Sequence, residues 1–404
     1  MSEYPFSDFQ RLKKLAFIVS HPIQYYVPLY RRLAARSDVQ IKVFYTWHAG
    51  QSAQLDQGFK KTVAWDIPLT DGYVFELVPN TARRPGSHHY WGLQNPELVA
   101  RVRAWSPNAV HVTGYAWHSH LWAMRALARH GLPVLFRGDS HLLDGGQFGA
   151  RWLAKKFLLS RIFSWPAAFL CVGQANKNYY RAFGVPAEKL FDCPHSIETE
   201  RFAEPDAELE AKAQAWRREL RVAEQQKVLL FAGKFEAKKR PVALMEAFLR
   251  SAPPQTVLVL VGDGELGEPV RTLAARHPEQ FRVLPFQNQS RMPLVYRLGD
   301  ALVLPSAYGE TWGLAVNEAL ACGRPALVSD RVGCHADVIR PGVNGDVFTA
   351  DDWNDFGRKL IRFNFAGGEA RRKELKTWAL NWSIEKTERT LVACAQSVTD
   401  KSES

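Results

Sequence analysis

Two glutamates eight positions apart could place their carboxylates on one ligand. Glu310 follows an apolar segment that ends at Pro305, and Glu318 lies in the helix predicted over Thr311–Ala321. At 1.5 Å per residue, the two positions would be roughly 12 Å apart along the helix axis. A glycosidase acid/base pair has its carboxyl groups about 5–9.5 Å apart, so this spacing excludes such a pair. It suits the two ends of an elongated ligand, such as a nucleotide sugar.

The start of the same predicted helix is a candidate anion site. The backbone N–H groups of Thr311, Trp312 and Gly313 would be free there. A helix N-terminus presents such groups together with the positive end of the helix dipole. We therefore expect negative charge to be bound beside Glu310.

Two lysines follow the apolar segment Val228–Ala232. Lys234 comes directly after this predicted strand, and Lys239 lies five residues further on. If both lie at the sheet edge that also carries Glu310, they can reach a diphosphate. A solvated run of charge ahead of a helix is the alternative interpretation.

A literal GxGxxG motif runs from Gly262 to Gly267, after one predicted strand and before a helix. A dehydrogenase with this motif would carry an acidic residue about 20 residues later, at the end of the next strand. The segment Phe281–Phe286 contains no carboxylate. We therefore exclude a dehydrogenase and expect Gly262 to permit a tight turn or a close approach of the backbone to a ligand.

Short apolar runs alternate with helical patterns along most of the chain, which predicts an α/β protein with parallel strands. This alternation of strand and helix patterns is interrupted by a segment rich in Glu, Ala, Arg and Gln, and it resumes after that segment. We predict an amino-terminal domain over residues 1–197, a linker over 198–226 and a second doubly wound domain over 227–375. Residues 376–404 should form a helix that crosses back to the first domain.

Composition narrows the classes of protein. The 404 residues carry a formal net charge of +11, of which +9 falls in residues 1–200. Nucleic acid, an anionic membrane, an acidic substrate or simple solubility could each explain this charge. No apolar run approaches the roughly 18 residues of a membrane span. The polar amino terminus predicts no secretion signal. The five scattered cysteines favour neither a zinc site nor a disulfide framework.

The second half resembles the retaining glycosyltransferases of family 4, which have the GT-B architecture of two Rossmann-like domains facing a central cleft. The motifs that carry the resemblance are Glu310-x7-Glu318 with its tail Glu-Ala-Leu-Ala-Cys-Gly-Arg-Pro, the Gly233-Lys-Phe loop and Gly342-Val-Asn-Gly345. The opening Ser20-His-Pro-Ile-Gln-Tyr-Tyr is similar to a subset of that family. The similarity spans residues 14–395.

The resemblance implies a role for each motif residue. Glu310, Lys234 and Lys239 would be catalytic, because Glu310 would contact the transferred sugar and the lysines would neutralise the diphosphate. Glu318 would bind the donor ribose. The other donor-binding residues would contribute backbone donors or lie near the base: Thr311, Trp312, Gly313, Gly262, Phe286 and Gln287.

The acceptor is expected on the amino-terminal domain. Its candidate residues follow predicted strands and are His21, His118, His120, Arg137, Asp139 and His141. The chain departs from the family pattern once in each half. Arg240 stands where many members have glycine, and Ser20-His21-Pro22 replaces a glycine pair.

These observations predict a hexosyltransferase that moves a sugar from a UDP- or GDP-linked donor to a hydroxyl of a glycan or lipid-linked acceptor in a bacterial surface polysaccharide. Lysines would replace a divalent metal, and we expect no cofactor. We expect a cytoplasmic enzyme that does not bind nucleic acid, with the basic segment 151–165 either packed on the sheet or in contact with an anionic membrane. The alternatives are a sugar-nucleotide epimerase or phosphorylase on the same fold, and a module that binds an anionic polymer or membrane.

Overall fold

The computed structural model describes residues 14–47, 54–56, 61–63, 65–145, 149–204, 206–365 and 367–403. The polar amino terminus lies outside these residues. The described chain forms two parallel sheets, each covered by helices, and is therefore an α/β protein of the predicted class.

The first sheet has seven parallel strands in the order β5-β2-β1-β6-β7-β8-β9, with a separate antiparallel hairpin, β3-β4. Its strands and the hairpin are β1 Lys14–Val19, β2 Gln40–Tyr45, β3 Gln54–Asp56, β4 Lys61–Val63, β5 Phe75–Leu77, β6 Ala109–Thr113, β7 Val134–Arg137, β8 Ala168–Cys171 and β9 Leu190–Asp192. The helices of this half are α1 Val27–Ala34, α2 Leu98–Ala104, α3 His118–Arg129, α4 Ala150–Ile162 and α5 Gln174–Ala182.

Two helices follow before the second sheet, α6 Thr199–Ala203 and α7 Asp206–Glu219. The second sheet has six parallel strands in the order β12-β11-β10-β13-β14-β15. They are β10 Lys227–Ala232, β11 Thr256–Val261, β12 Phe281–Leu284, β13 Ala301–Leu304, β14 Ala326–Ser329 and β15 Gly345–Phe348. Its helices are α8 Pro241–Ser251, α9 Gly267–Arg276, α10 Met292–Leu298, α11 Leu314–Ala321, α12 His335–Val338, α13 Trp353–Ile361 and α14 Glu369–Ala379.

Central strands such as β11 are buried along their whole length, because helices cover both faces of the sheet. This explains why β11 reads as an unbroken apolar run. The short outer strands β5, β9 and β15 have weaker apolar patterns and were not predicted.

The last helix, α15 Ile384–Glu403, packs into the core of the amino-terminal half. Its Glu388 carboxylate accepts hydrogen bonds from Arg32 and Arg36 on and after α1, at 2.9 and 2.8 Å. The crossing occurs at Ser383, which forms a β-bridge with Ile197. The predicted boundary at residue 375 falls inside α14.

Two predicted helix limits need correction. The single helix predicted over residues 376–404 is the end of α14, a short 3-10 turn over Leu380–Trp382 and α15. Helix α11 begins at Leu314 and not at Thr311, because Gly313 before it has a positive φ of 95°. The helical rise therefore does not apply over the whole interval from Glu310 to Glu318.

Candidate functional site

A cleft of about 710 Å³ lies between the two sheets. Its lining residues come from both halves and follow the carboxyl ends of strands. His21 follows β1, Asp139 follows β7, Gly233 follows β10 and Gly262 follows β11. Ligands of open parallel sheets bind beyond this edge, so the topology itself places a binding site here.

Glu310 and Lys239 form an ion pair inside the cleft. The Lys239 Nζ donates to Glu310 Oε2, and the Ser306 hydroxyl donates to the same oxygen at 3.0 Å. Only 14% of the Glu310 side chain and 16% of the Lys239 side chain are exposed. Burial alone would raise the pKa of Glu310, but Lys239 and the Ser306 hydrogen bond outweigh burial and lower it. Glu310 is therefore a stable carboxylate at neutral pH.

Three lysines of one loop converge on this carboxylate side of the cleft. Lys234, Lys238 and Lys239 all line it, and Lys238 Nζ lies 3.3 Å from Glu236 Oε1. The loop ends at Arg240, which adopts a left-handed φ of 51°. Glycine tolerates this left-handed conformation best. The backbone therefore keeps the conformation that glycine would favour, although the residue here is arginine. Arg240 is held by Asp351 at 2.6 Å and by the Ala350 carbonyl.

Gly262 permits a close approach between two cleft loops. A Cβ at this position would lie 1.9 Å from the Gly233 carbonyl oxygen, and its φ is 157°. The predicted close approach is thus to the neighbouring loop that begins at Gly233. Phe286 and Gln287 line the cleft beyond β12.

Thr311, Trp312 and Gly313 line the cleft in the turn before α11. The Trp312 carbonyl is held in place, because the Cys334 backbone N–H donates to it at 2.9 Å. The Trp312 indole donates to Asn317 Oδ1 at 3.0 Å and is almost fully buried. This turn therefore presents backbone from a rigid position.

Glu318 lies on α11 at the floor of the cleft and is 2% exposed. The Tyr296 hydroxyl donates to its Oε2, and its Oε1 is buried with no hydrogen-bond partner. Burial raises the pKa of Glu318 to about 7, although Tyr296 and Arg201 oppose the shift. A buried acceptor without a partner is suited to a hydroxyl donor on a ligand.

The amino-terminal side of the cleft contains two of the six predicted acceptor residues. His21 Nδ1 lies 2.9 Å from the Ser20 hydroxyl, and burial lowers the pKa of His21. Asp139 accepts from His195 Nε2 at 3.3 Å. Burial alone would raise the pKa of Asp139, but His195 and Arg137 lower it to about 2.

The other four predicted acceptor residues do not line the cleft. His120 is fully buried, with Nδ1 2.7 Å from the Thr113 carbonyl and Nε2 3.0 Å from the Thr46 hydroxyl. His118 stacks on Trp91 at 5.0 Å. Arg137 is buried and donates to the Cys193 carbonyl at 2.8 Å. The structure places these three residues within the amino-terminal domain and outside the lining of the cleft.

His141 occupies an intermediate position. Its Nδ1 accepts from the Leu143 backbone N–H at 3.2 Å, and its buried Nε2 lies 3.8 Å from Asp144 Oδ2. Burial lowers its pKa, whereas nearby Asp144 and Glu310 raise it. It interacts with Glu310 but does not line the cleft.

Sequence reasoning missed several cleft residues. They share a position just after a strand or at the start of α1, and are Gln24, Tyr25, Tyr26, Trp47, Trp65 and His195. His195 stacks with Tyr26 at 6.2 Å and lies 5.9 Å from the Trp312 ring, so it contacts both halves. The available signal was its position three residues after β9, a strand that the apolar pattern did not predict.

Across the described residues there is no group of three or more His, Cys, Asp or Glu side chains that could hold a metal ion. Within the same part of the chain, no helix is both long and apolar enough to span a membrane.

Comparisons with known proteins agree with this geometry. Residues 212–377 match the model of the family "Glycosyl transferases group 1", and residues 68–191 match a "Glycosyl transferase 4-like domain". A D-inositol 3-phosphate glycosyltransferase of Rhodococcus jostii is 32% identical over 337 residues, which cover 75% of this chain and 71% of the relative. The chain belongs to the group 1 glycosyltransferases.

Solved structures show that this glycosyltransferase has the GT-B fold. Anabaena HepE, solved in complex with UDP and glucose, has a TM-score of 0.65 at 15% identity and covers 94% of this chain and 98% of its own. The lipopolysaccharide outer core galactosyltransferase WaaB has a TM-score of 0.65 at 16% identity with the same coverage. The predicted architecture of two Rossmann-like domains facing a cleft is confirmed.

Proposed function

We propose that this glycosyltransferase is a retaining, metal-independent hexosyltransferase that uses a UDP- or GDP-linked sugar. The observation that carries the proposal is the convergence of Lys234, Lys239 and Glu310 on one cleft, with the unpartnered carboxylate oxygen of Glu318 in the same cleft. This arrangement matches a donor with a diphosphate between two hydroxyl-rich groups. HepE, which was solved with UDP and glucose, supports the choice of donor.

The proposed chemistry depends on preorganised charge. Cleavage of the glycosyl–phosphate bond leaves negative charge on the diphosphate, which Lys234 and Lys239 stabilise as it develops. Glu310 holds Lys239 in place and accepts hydrogen bonds from hydroxyls of the transferred sugar. Glu318 accepts from the ribose. Because the lysines supply the positive charge, the reaction needs no divalent cation.

We propose that the acceptor is a hydroxyl of a glycan or lipid-linked glycan of a bacterial surface polysaccharide. The fold shared with WaaB supports this role. The surface of α4 supports a location at an anionic membrane. Leu153, Phe157 and Leu158 are 66%, 81% and 58% exposed on this helix, among the basic residues Arg151, Lys155, Lys156 and Arg161. An anionic membrane complements both the charge and the apolar side chains.

The experiment that tests the donor is a thermal-shift and turnover screen of nucleotide sugars, with and without EDTA. We expect one UDP- or GDP-sugar to raise the Tm, and its slow hydrolysis without acceptor to be unaffected by EDTA. NMR of the product should show the donor's anomeric configuration. Conversion of the donor to its epimer, loss of turnover in EDTA, or inversion would each contradict the corresponding part of the proposal.

The membrane contact is tested by flotation with vesicles. We expect binding to vesicles that contain anionic lipid, weaker binding to zwitterionic vesicles and loss of binding in Phe157→Ser. The matched control is Leu380→Ser, because Leu380 is 55% exposed on the carboxy-terminal half. Equal binding of both variants would contradict a contact through α4.

A further inference from the structure

The two walls of the cleft differ in charge. We call the lining residues before position 198 the amino-terminal wall and those after position 226 the carboxy-terminal wall. Among the described residues, all lysines that line the cleft belong to the carboxy-terminal wall, and the amino-terminal wall includes neither lysine nor arginine. The amino-terminal wall is instead built from aromatic and uncharged polar side chains beside the single carboxylate of Asp139.

The electrostatics of the amino-terminal wall disfavour an anionic ligand. Asp139 is ionised at neutral pH, because its pKa is about 2. His21 is neutral there, because burial lowers its pKa. The nearby cation, Arg137, is buried behind Tyr26, with its guanidinium 5.8 Å from the Tyr26 ring and its Nη1 bonded to the Cys193 carbonyl. The His195 imidazole on this wall is already bonded to Asp139 at 3.3 Å, so a phosphate on an acceptor would meet no unpaired lysine or arginine among the described residues of the wall.

Trp47 is held in a fixed position on the amino-terminal wall. Its backbone N–H donates to the Ser20 carbonyl at 2.7 Å, and its ring meets the His21 ring edge-on at 5.6 Å. The preceding residue, Thr46, is tied to His120 through its hydroxyl and to Asn95 through its carbonyl, at 3.0 Å each. The burial of His120 thus positions Trp47, because it anchors the end of β2.

A fixed tryptophan beside polar groups is a suitable surface for a sugar ring. The C–H face of a pyranose is apolar and packs on an aromatic ring, while its hydroxyls reach donors and acceptors at the edge. Because Trp47 is already ordered, little side-chain entropy is lost when the acceptor binds. Gln24 and Asp139 lie on the same wall and can bond the hydroxyls.

We infer that the acceptor of this enzyme is an uncharged sugar whose ring packs against Trp47, and not a phosphorylated acceptor such as the one in the name of the Rhodococcus relative. This rests on the proposed function, since it concerns the second substrate of the same cleft.

The test measures acceptor kinetics at a saturating donor concentration. Neutral aryl glycosides are compared with the corresponding sugar phosphates and with D-inositol 3-phosphate. We expect kcat/KM to be at least about 10-fold higher for the best neutral acceptor. Trp47→Ala should raise the acceptor KM about 10-fold and leave the donor KM unchanged, and Trp47→Phe should restore most of the affinity.

The matched control is Trp91→Ala, because Trp91 is 57% exposed, belongs to the same domain and does not line the cleft. Preferred turnover of a phosphorylated acceptor would overturn the inference, as would a Trp47→Ala enzyme whose acceptor KM is unchanged. If Trp47→Ala fails to fold, the comparison of neutral and phosphorylated acceptors with the wild-type enzyme still decides the inference. Failure of every nucleotide sugar to bind would instead overturn the proposed function, because that outcome does not involve the acceptor.

Discussion

The two walls of the cleft bind through different physical means. The carboxy-terminal wall presents Lys234, Lys238 and Lys239 around Glu310, whereas the described amino-terminal wall presents aromatic rings and one carboxylate. The first arrangement stabilises charge and is suited to a leaving group. The second offers apolar area and hydrogen bonds and is suited to selecting a neutral partner. The comparison shows that stabilisation of the leaving group and selection of the acceptor can be divided between the two halves of one fold.

The largest expected effect is on the carboxy-terminal wall. Lys239→Ala should lower kcat by about 100- to 1,000-fold, because it removes a preorganised cation from the leaving group. The measurement is steady-state turnover with the best donor. Lys227→Ala is the control, because Lys227 is exposed at the opposite end of β10. A Lys239→Ala enzyme with near wild-type kcat would break the assignment of this wall to the leaving group.

A smaller loss is expected for Glu310→Gln. It should lower kcat/KM by about 10- to 100-fold, because a charge-assisted hydrogen bond is replaced by a neutral one and Lys239 loses its ion-pair partner. Ser306→Ala, which removes only the neutral hydrogen bond to the same oxygen, should cost far less. If the two variants were equally active, Glu310 would not contact the donor sugar.

The third prediction concerns the pH dependence of donor binding. As the pH falls through about 7, Glu318 takes up a proton and becomes a weaker acceptor for ribose hydroxyls. The donor KM should therefore rise at lower pH, by at most about 10-fold per unit, and this dependence should be absent in Glu318→Gln. A donor KM that is independent of pH between 5.5 and 8 in the wild type would contradict it.

The same residue makes a prediction about stability. Burial raises the pKa of Glu318 from 4.5 to about 7, so between these values the folded chain binds more protons than the unfolded chain. The free energy of unfolding therefore falls as the pH rises through this window. Glu318→Gln should raise the Tm at pH 8 and change it little at pH 5. The exposed Glu246→Gln on α8 should have no such effect.

The smallest effect is expected on the amino-terminal wall. Gln24→Ala should raise the acceptor KM by about 2- to 10-fold, the loss of one neutral hydrogen bond, with no change in the donor KM. Initial rates over a matrix of donor and acceptor concentrations separate the two constants. A change confined to the donor KM would show that Gln24 contacts the donor. The amino-terminal wall would then not be specific for the acceptor.

Much of the carboxy-terminal wall could be predicted because its motifs are local. Lys234 and Lys239 lie in one loop after β10, and Glu310 and Glu318 flank the start of α11. A parallel strand followed by a loop and a helix delivers such residues to one edge of the sheet. The positive φ of Gly313 was not visible in the apolar pattern, so the predicted start of α11 was three residues too early.

The amino-terminal wall could not be predicted to the same depth. His118 and His120 are two residues apart on α3, so they point to different sides of the helix, one towards Trp91 and the other into the core. Periodicity does not tell which side faces a ligand. His195 was missed because β9 is only three residues long.

Residues that are close in the chain predict the alternation of the central strands with helices, place the lysine and glutamate motifs in the second half and argue against a dehydrogenase. The acceptor surface depends on contacts between residues far apart, such as Thr46 with His120 and Asp139 with His195. Only the folded structure brings these groups together. Hydrogen bonds and packing across the sheet determine which polar side chains are satisfied within the protein and which are left to bind a ligand.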